Sequence, residues 1–302
     1  MTTDALADVV RRLSASSRRS YQNPYESITW PDDLDRAQWF TSPEMISLYG
    51  TPAWHALAED ARRELSFWEA VNFFSLNIHG ERVLMEGLAH RLYRPGLEPV
   101  AQYLHHFLDE ENKHSVWFAT FCTRYAGRIY PDRKVVFPRE YADGEEDVLF
   151  FAKVSVFEEI VDRYNLAMAR DERLVPVVRQ INANHHAEET RHLVFGRRIV
   201  AELWSRFAPR WPVEVVEGVR DHLAAFVTAT WREYYNPDVY RDAGFADPWV
   251  TAREAWDDPA TRGHREEITR LALRPLVAAG VLASVDFGSR NPLTPDRPDG
   301  RG

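Results

Sequence analysis

Cysteine is almost missing from the 302 residues: Cys122 stands alone, which excludes an internal disulfide framework and any cysteine-built zinc knuckle. Lysine is nearly as scarce, with only Lys113, Lys134 and Lys153 among 37 basic residues. The formal net charge is -9, with a pI of about 5.7, so the clustered positive field of a nucleic-acid grip is lacking and no nucleic-acid partner is expected. No apolar run approaches the roughly 20 residues of a membrane helix. The first residues carry Asp4 and Asp8 and no compact apolar core, unlike a secretory signal. These absences lead us to expect a cytoplasmic protein with no membrane partner. Glycine numbers only 14, and no strand run or dinucleotide-binding glycine fingerprint stands out. What the chain does have is aromatic mass, 10 Trp, 12 Tyr and 16 Phe, too much to leave solvated in a disordered chain.

Apolar residues recur at helical spacing through most of the sequence. Long helices are expected from about Pro52 to Tyr93, Glu98 to Gly127, Glu145 to Asp171, Leu174 to Phe207, and on to about Tyr235. Shorter ones are expected at 251–258 and 262–280. Pro95 and Gly96 close the first, a loop covers 128–144, and Asn236-Pro237 is a stop signal. The first 20 residues suggest a short amphipathic helix or disorder, and about 287–302 a mobile tail. Two hairpins joined by a longer crossover make the ferritin-like arrangement. The expectation is therefore one all-α domain over 1–302: a ferritin-like four-helix bundle at about 52–236, with additional N- and C-terminal helices.

Chemistry enters with two Glu-x-x-His pairs, Glu111/His114 and Glu189/His192. One such pair means little, since an acid-rich chain yields on the order of one by chance. The combination means more. Glu81 precedes Glu111 by 30 residues, and Glu158 precedes Glu189 by 31. Each Glu lies about as far before its hairpin turn as its partner lies after it, so the two end level at 1.5 Å rise per residue. Glu and His three apart point the same way from a helix and can reach one ion. Glu81 shares a stripe with Phe74, Ile78 and Leu84, and Glu158 one with Phe151, Val154 and Val161, so these acids should face the core. Four buried carboxylates cost many kcal/mol unless compensated, and two divalent cations supply the four positive charges. Glu from two helices and Glu-x-x-His from two more is the general description of di-iron carboxylate bundles. Glu159 competes with Glu158, but falls on the more polar side with Asp162 and Arg163. Glu86 competes less well with Glu81. His185, four residues before Glu189, offers a seventh ligand on the same face.

Glu81, Glu111-x-x-His114, Glu158 and His185-x-x-x-Glu189-x-x-His192 resemble the non-haem di-iron N-oxygenases of the p-aminobenzoate N-oxygenase type, over roughly residues 50–240. The segment from Tyr234 to Tyr240 resembles that family more weakly. The resemblance implies that four glutamates and three histidines hold two Fe ions. It also implies that O₂ is the co-substrate, that an aryl amine is oxidised to hydroxylamine, nitroso or nitro product in natural-product biosynthesis, and that the chain forms a homodimer. The radical-generating subunit of ribonucleotide reductase fits less well, because Phe118 stands where it usually keeps a tyrosine. A di-iron hydroxylase or desaturase acting on carbon, on a free or carrier-tethered substrate, stays open, as does non-catalytic iron handling. Lacking a dinucleotide motif and a cysteine cluster, the chain needs an external electron donor: another protein, a small reductant or the substrate itself. Phe73, Phe74, Trp117, Phe118 and Phe121 line either a substrate pocket or plain core, and Arg270 or Arg274, if buried, could hold a substrate carboxylate.

Overall fold

Proline, glycine and acid punctuation decides where helices begin and end in this chain. The computed structural model describes residues 4–132 and 139–287. Its helices are α1 (Asp4–Arg19), α2 (Pro52–Ala56), α3 (Glu59–Arg91), α4 (Ala101–Phe121), α5 (Glu145–Arg170), α6 (Pro176–Phe207), α7 (Val213–Tyr234), α8 (Pro237–Asp242), α9 (Pro248–Asp257) and α10 (Pro259–Ala278). Among the described residues there is no strand, only a lone parallel bridge between Trp39 and Leu174. The all-α expectation holds.

Local chemistry explains each boundary. Proline occupies the first turn of α6, where its missing N–H costs nothing. Glu145, Glu146 and Asp147 crowd the first turn of α5 and complement its dipole. The α3–α4 turn uses Tyr93 and Gly96 at positive φ. The α5–α6 turn is tied by Asp171, whose carboxylate accepts from the Arg173 backbone N–H at 3.0 Å. The helix expected from Pro52 is in fact two, because the chain turns extended at Leu57 and Ala58 before the acids Glu59 and Asp60 start α3. Asn236-Pro237 does stop α7, but it also starts α8: the Asn236 side chain accepts from the Asp238 N–H. The N-terminal segment is a helix, burying Leu6, Val10 and Leu13. The expected mobile tail lies beyond Phe287, outside the described residues, as does the middle of the crossover loop.

α3 pairs with α4 and α5 with α6 as antiparallel hairpins, and α1 lies across α4 and α6. Helices α7 and α10 pack on α5, and α8 on α3. This extra layer explains why α3 is buried almost without interruption from Leu65 to Asn77. The interior between the four long helices is where the predicted acids and histidines meet.

Candidate metal centre

All seven predicted residues lie inside the bundle, none more than 4% exposed. His114 Nδ1 stands 3.1 Å from Glu111, 3.6 Å from Glu189 and 3.9 Å from Glu81. His192 Nδ1 stands 2.9 Å from Glu111 and 3.2 Å from Glu189. His185 presents its other nitrogen, Nε2, 2.9 Å from Glu189 and 3.7 Å from Glu81. Two overlapping groups result, Glu111/His114/Glu189/His192 and Glu81/His114/His185, each with donor atoms mutually within 4.8 Å. Glu158 falls in neither group, but it is buried and senses the charges of Glu189, His192 and Glu81.

The electrostatics are those of a cation cage. Burial drives Glu81, Glu111 and Glu158 above the ordinary carboxylate range. Burial opposes charge on Glu189 too, but His192 and His185 hold it well below that range. Burial and the neighbouring His185 keep His114 well below its usual value, in the neutral form a ligand needs. Both oxygens of Glu158 and Oε2 of Glu189 are buried with no hydrogen-bond partner, while Oε1 of Glu111 and Nε2 of His185 meet only other members of the cluster, each at 2.9 Å. Three orphaned carboxylate oxygens, in an interior where the remaining acids and histidines meet only one another, are what divalent ions would satisfy, so the donor set fits a metal pair.

Glu158 and Glu159 divide their roles visibly. Glu159 turns away and accepts from the Arg197 guanidinium at 2.6 Å. Glu158 has no such partner.

A ring of charge around the histidines was not foreseen. His114 Nε2 donates to Glu188 at 3.1 Å, and His192 Nε2 donates to Glu110 at 2.8 Å. Lys113 ties Glu188 at 2.8 Å, and Arg191 ties Glu110 at 2.6 Å. His192 and Arg191 outweigh burial and hold Glu110 down to about 2. Each motif is thus longer than Glu-x-x-His: Glu110-Glu111-x-Lys113-His114 and Glu188-Glu189-x-Arg191-His192, each reaching across to the other's histidine. The repetition of Glu-Glu-x-basic-His was the available signal. Outer partners of this kind fix which nitrogen faces a metal, here Nδ1 of both motif histidines. His185 is held through its other nitrogen by the Asn165 amide at 2.8 Å.

Of the aromatic candidates, Phe118 packs edge-on to His185 at 5.0 Å and stacks with Phe74 at 5.2 Å. Trp117 is core, its N–H donated to the Pro24 carbonyl. Arg270 and Arg274 are exposed, so neither is the buried clamp considered above; the fully buried arginine of α10 is Arg265, bonded to the Tyr235 hydroxyl and the Trp256 carbonyl. A cavity of about 320 Å³ opens between Ser47, Tyr164, Tyr234, Tyr235, Thr261 and His264.

Fold and site together define a ferritin-like protein with a di-metal cofactor. The chain matches the family model of the p-aminobenzoate N-oxygenase AurF over residues 3–277, nearly its whole length, and it belongs to that family. It is accordingly an oxidoreductase, a di-metal N-oxygenase. Among solved structures it is similar to a variant of an R2-like ligand-binding oxidase with an aerobically reconstituted Mn/Fe cofactor. That match has 15% identity and a TM-score of 0.51, covering 88% of this chain and 93% of that one. A second variant of that oxidase, anaerobically reconstituted, matches at 14% identity and a TM-score of 0.44, covering 86% of this chain and 93% of that one. These likenesses concern the fold alone. No curated protein matches the chain. No helix among the described residues is long and apolar enough to cross a membrane.

Proposed function

We propose that Glu81, Glu111, His114, Glu158, His185, Glu189 and His192 hold two iron ions. The enzyme would then use O₂ to N-oxygenate a small aryl amine, giving a hydroxylamine, nitroso or nitro product in a biosynthetic pathway. The observation that carries the reading is the convergence of these seven buried side chains with their orphaned ligand atoms. When bound, the irons supply the redox chemistry that reduces O₂. The chain's own residues do the rest. Glu110 and Glu188 hold the motif histidines in one tautomer, Asn165 orients His185, and the Phe74–Phe118 wall keeps bulk water from the His185 side. The electrons come from an external donor. We further infer a single domain, a homodimer and a cytoplasmic location, as the family resemblance and the sequence suggest.

The deciding experiment loads the protein with iron, reduces it, and adds O₂ with an aryl amine. Two irons per chain and an N-oxygenated product are expected. Carbon-oxidised products alone would overturn the reading, as would assembly into large shells holding many irons per chain.

A further inference from the structure

Helices α5, α6 and α10 pack on one another but do not close completely. Between them remains an open cavity of about 450 Å³, within the size range of small-molecule sites. Residues three or four apart stand one above the other on a helix face, and such pairs build its walls. Glu159 and Arg163 come from α5, Arg197 from α6 and Arg274 from α10. Ala201, one turn after Arg197, and the pair Leu271 and Pro275 add an apolar wall. Arginine makes up about one residue in nine of the chain but a third of those lining this cavity, so its composition is not that of the average surface.

The charges on this cavity do not cancel. Among the lining residues Glu159 is the only acid. Arg197 grips it through Nε at 2.6 Å and Nη2 at 2.5 Å, both on the same oxygen, which leaves Nη1 unengaged. Arg163 feels the charge of Glu159, but neither Arg163 nor Arg274 forms an ion pair or hydrogen bond with a described residue. Three guanidinium groups against one carboxylate leave two positive charges around one space, in a chain whose net charge is -9. Planar guanidiniums match the paired oxygens of phosphates and carboxylates. Two surplus charges select a dianion over a monoanion, and a phosphate monoester carries about -1.5 to -2 at pH 7.

We propose that the cavity between α5, α6 and α10 binds a small phosphate ester, its phosphate taken by Arg163, Arg197 and Arg274 and its organic body laid against Ala201, Leu271 and Pro275. Inorganic phosphate would satisfy the arginines but leave the apolar wall bare. A carboxylate with the same body would use the wall but answer only one of the two surplus charges. Glu159 tempers the site, because it repels the ligand and occupies two donors of Arg197. The site is independent of the N-oxygenase reading, and its test requires no turnover.

The test is calorimetric titration of the iron-loaded protein, at neutral pH and low salt, with phenyl phosphate, inorganic phosphate and benzoate. Phenyl phosphate is expected to bind most tightly, by about tenfold over either of the others. Arg163→Gln and Arg274→Gln should each weaken it about tenfold, the effect of losing a hydrogen bond to a charged group. Arg274 is exposed, so its replacement should leave the melting temperature unchanged. Glu159→Gln should strengthen binding severalfold, a sign that a merely structural Glu159–Arg197 pair would not give. Arg12→Gln, which removes the same charge from the exposed face of α1, should change nothing. The proposal is overturned if phenyl phosphate does not bind, or if Glu159→Gln weakens it. It is also overturned if Arg12→Gln costs as much as the cavity variants, since the binding is then nonspecific. Binding unaltered in both Arg163→Gln and Arg274→Gln would place the phosphate elsewhere and equally overturn it. Equal affinity for phenyl phosphate and inorganic phosphate overturns the ester assignment and makes this a site for free phosphate.

Discussion

Seven residues before His192 stands His185; seven residues before His114 stands Phe107. The two hairpins otherwise match closely, down to the Glu-Glu-x-basic-His run and the carboxylate each sends to the other's histidine. Phe107 stacks on His192 with ring centroids 4.0 Å apart, whereas His185 turns its Nε2 toward Glu189 and Glu81. The comparison separates two jobs. The repeated charges surround the cluster symmetrically, and on the proposed ligand set the unpaired histidine would make one side of it richer in nitrogen. Nitrogen-rich ligation alters the redox behaviour of a metal, so with His185 as a ligand the asymmetry would bear on reactivity more than on assembly.

The comparison breaks most severely if the shared part is removed. His114→Ala is expected to abolish both N-oxygenation and binding of at least one iron, measured by metal analysis of the purified protein. His185→Phe makes the two halves alike. We expect it to keep the fold but to weaken one iron by at least about 10–100-fold, the range that loss of even an outer partner costs. Equal iron affinity in His185→Phe and the unaltered protein would remove His185 from the ligand set.

A second contrast lies among the buried acids. Glu110 has Arg191 and His192 beside it and stays ionised. Glu69, buried on the side of α3 that meets Ser47, has only Ser47 to donate to it, and burial pushes its carboxyl up to about 7. Folded Glu69 keeps a proton that the unfolded chain releases near 4.5. Its contribution to stability is therefore full below that value and is lost as pH rises toward about 7, a difference on the order of 3 kcal/mol. Glu69→Gln should remove this decline. Urea unfolding at pH 5 and pH 8 checks it: the variant gains on the unaltered protein at the higher pH, and parallel profiles would contradict the assignment.

Much of this was legible in the sequence. The Glu-x-x-His runs, the matched spacing of Glu81 and Glu158, and the helical periodicity all act locally, along one helix or one hairpin. Helix breaks were legible only in part: Asn236-Pro237 signals a stop, but whether α8 follows depends on packing against α3. The cross-pairing of Glu110 with His192 and of Glu188 with His114 joins two helices some 80 residues apart in sequence. Their spacing from the motif residues shows a second acid but not which helix it faces. Burial of Arg265 rather than Arg270 likewise depends on how α10 turns against α7 and α9, which no local pattern encodes.

The outer pairs test the symmetry more gently. Glu110→Gln and Glu188→Gln each replace a charged acceptor by a neutral one and leave Arg191 or Lys113 buried without its closest anion. Iron affinity should fall about 10–100-fold in each variant, and by similar amounts, because the two halves are alike here. Chelator competition measures it. A large effect in one variant alone would show that only one histidine depends on its outer carboxylate.

The smallest effect is expected at Glu159, and it bears on which of two neighbouring acids faces the metals. Glu159 is itself buried, but Arg197, its partner at 2.6 Å, has a side chain that is 47% exposed. Glu159→Gln leaves that guanidinium free to take up water, so the pair's loss should cost less than about 1 kcal/mol in a urea titration. Iron content should stay at two per chain. Glu158 has no arginine or lysine paired with it and no hydrogen bond to either oxygen, so Glu158→Gln should leave stability nearly untouched or improve it in the metal-free protein, where burial already favours the neutral form. The same change should lower iron content in the loaded one. If Glu159→Gln loses iron and Glu158→Gln does not, the two residues exchange roles, and α5 must turn its polar edge toward the centre.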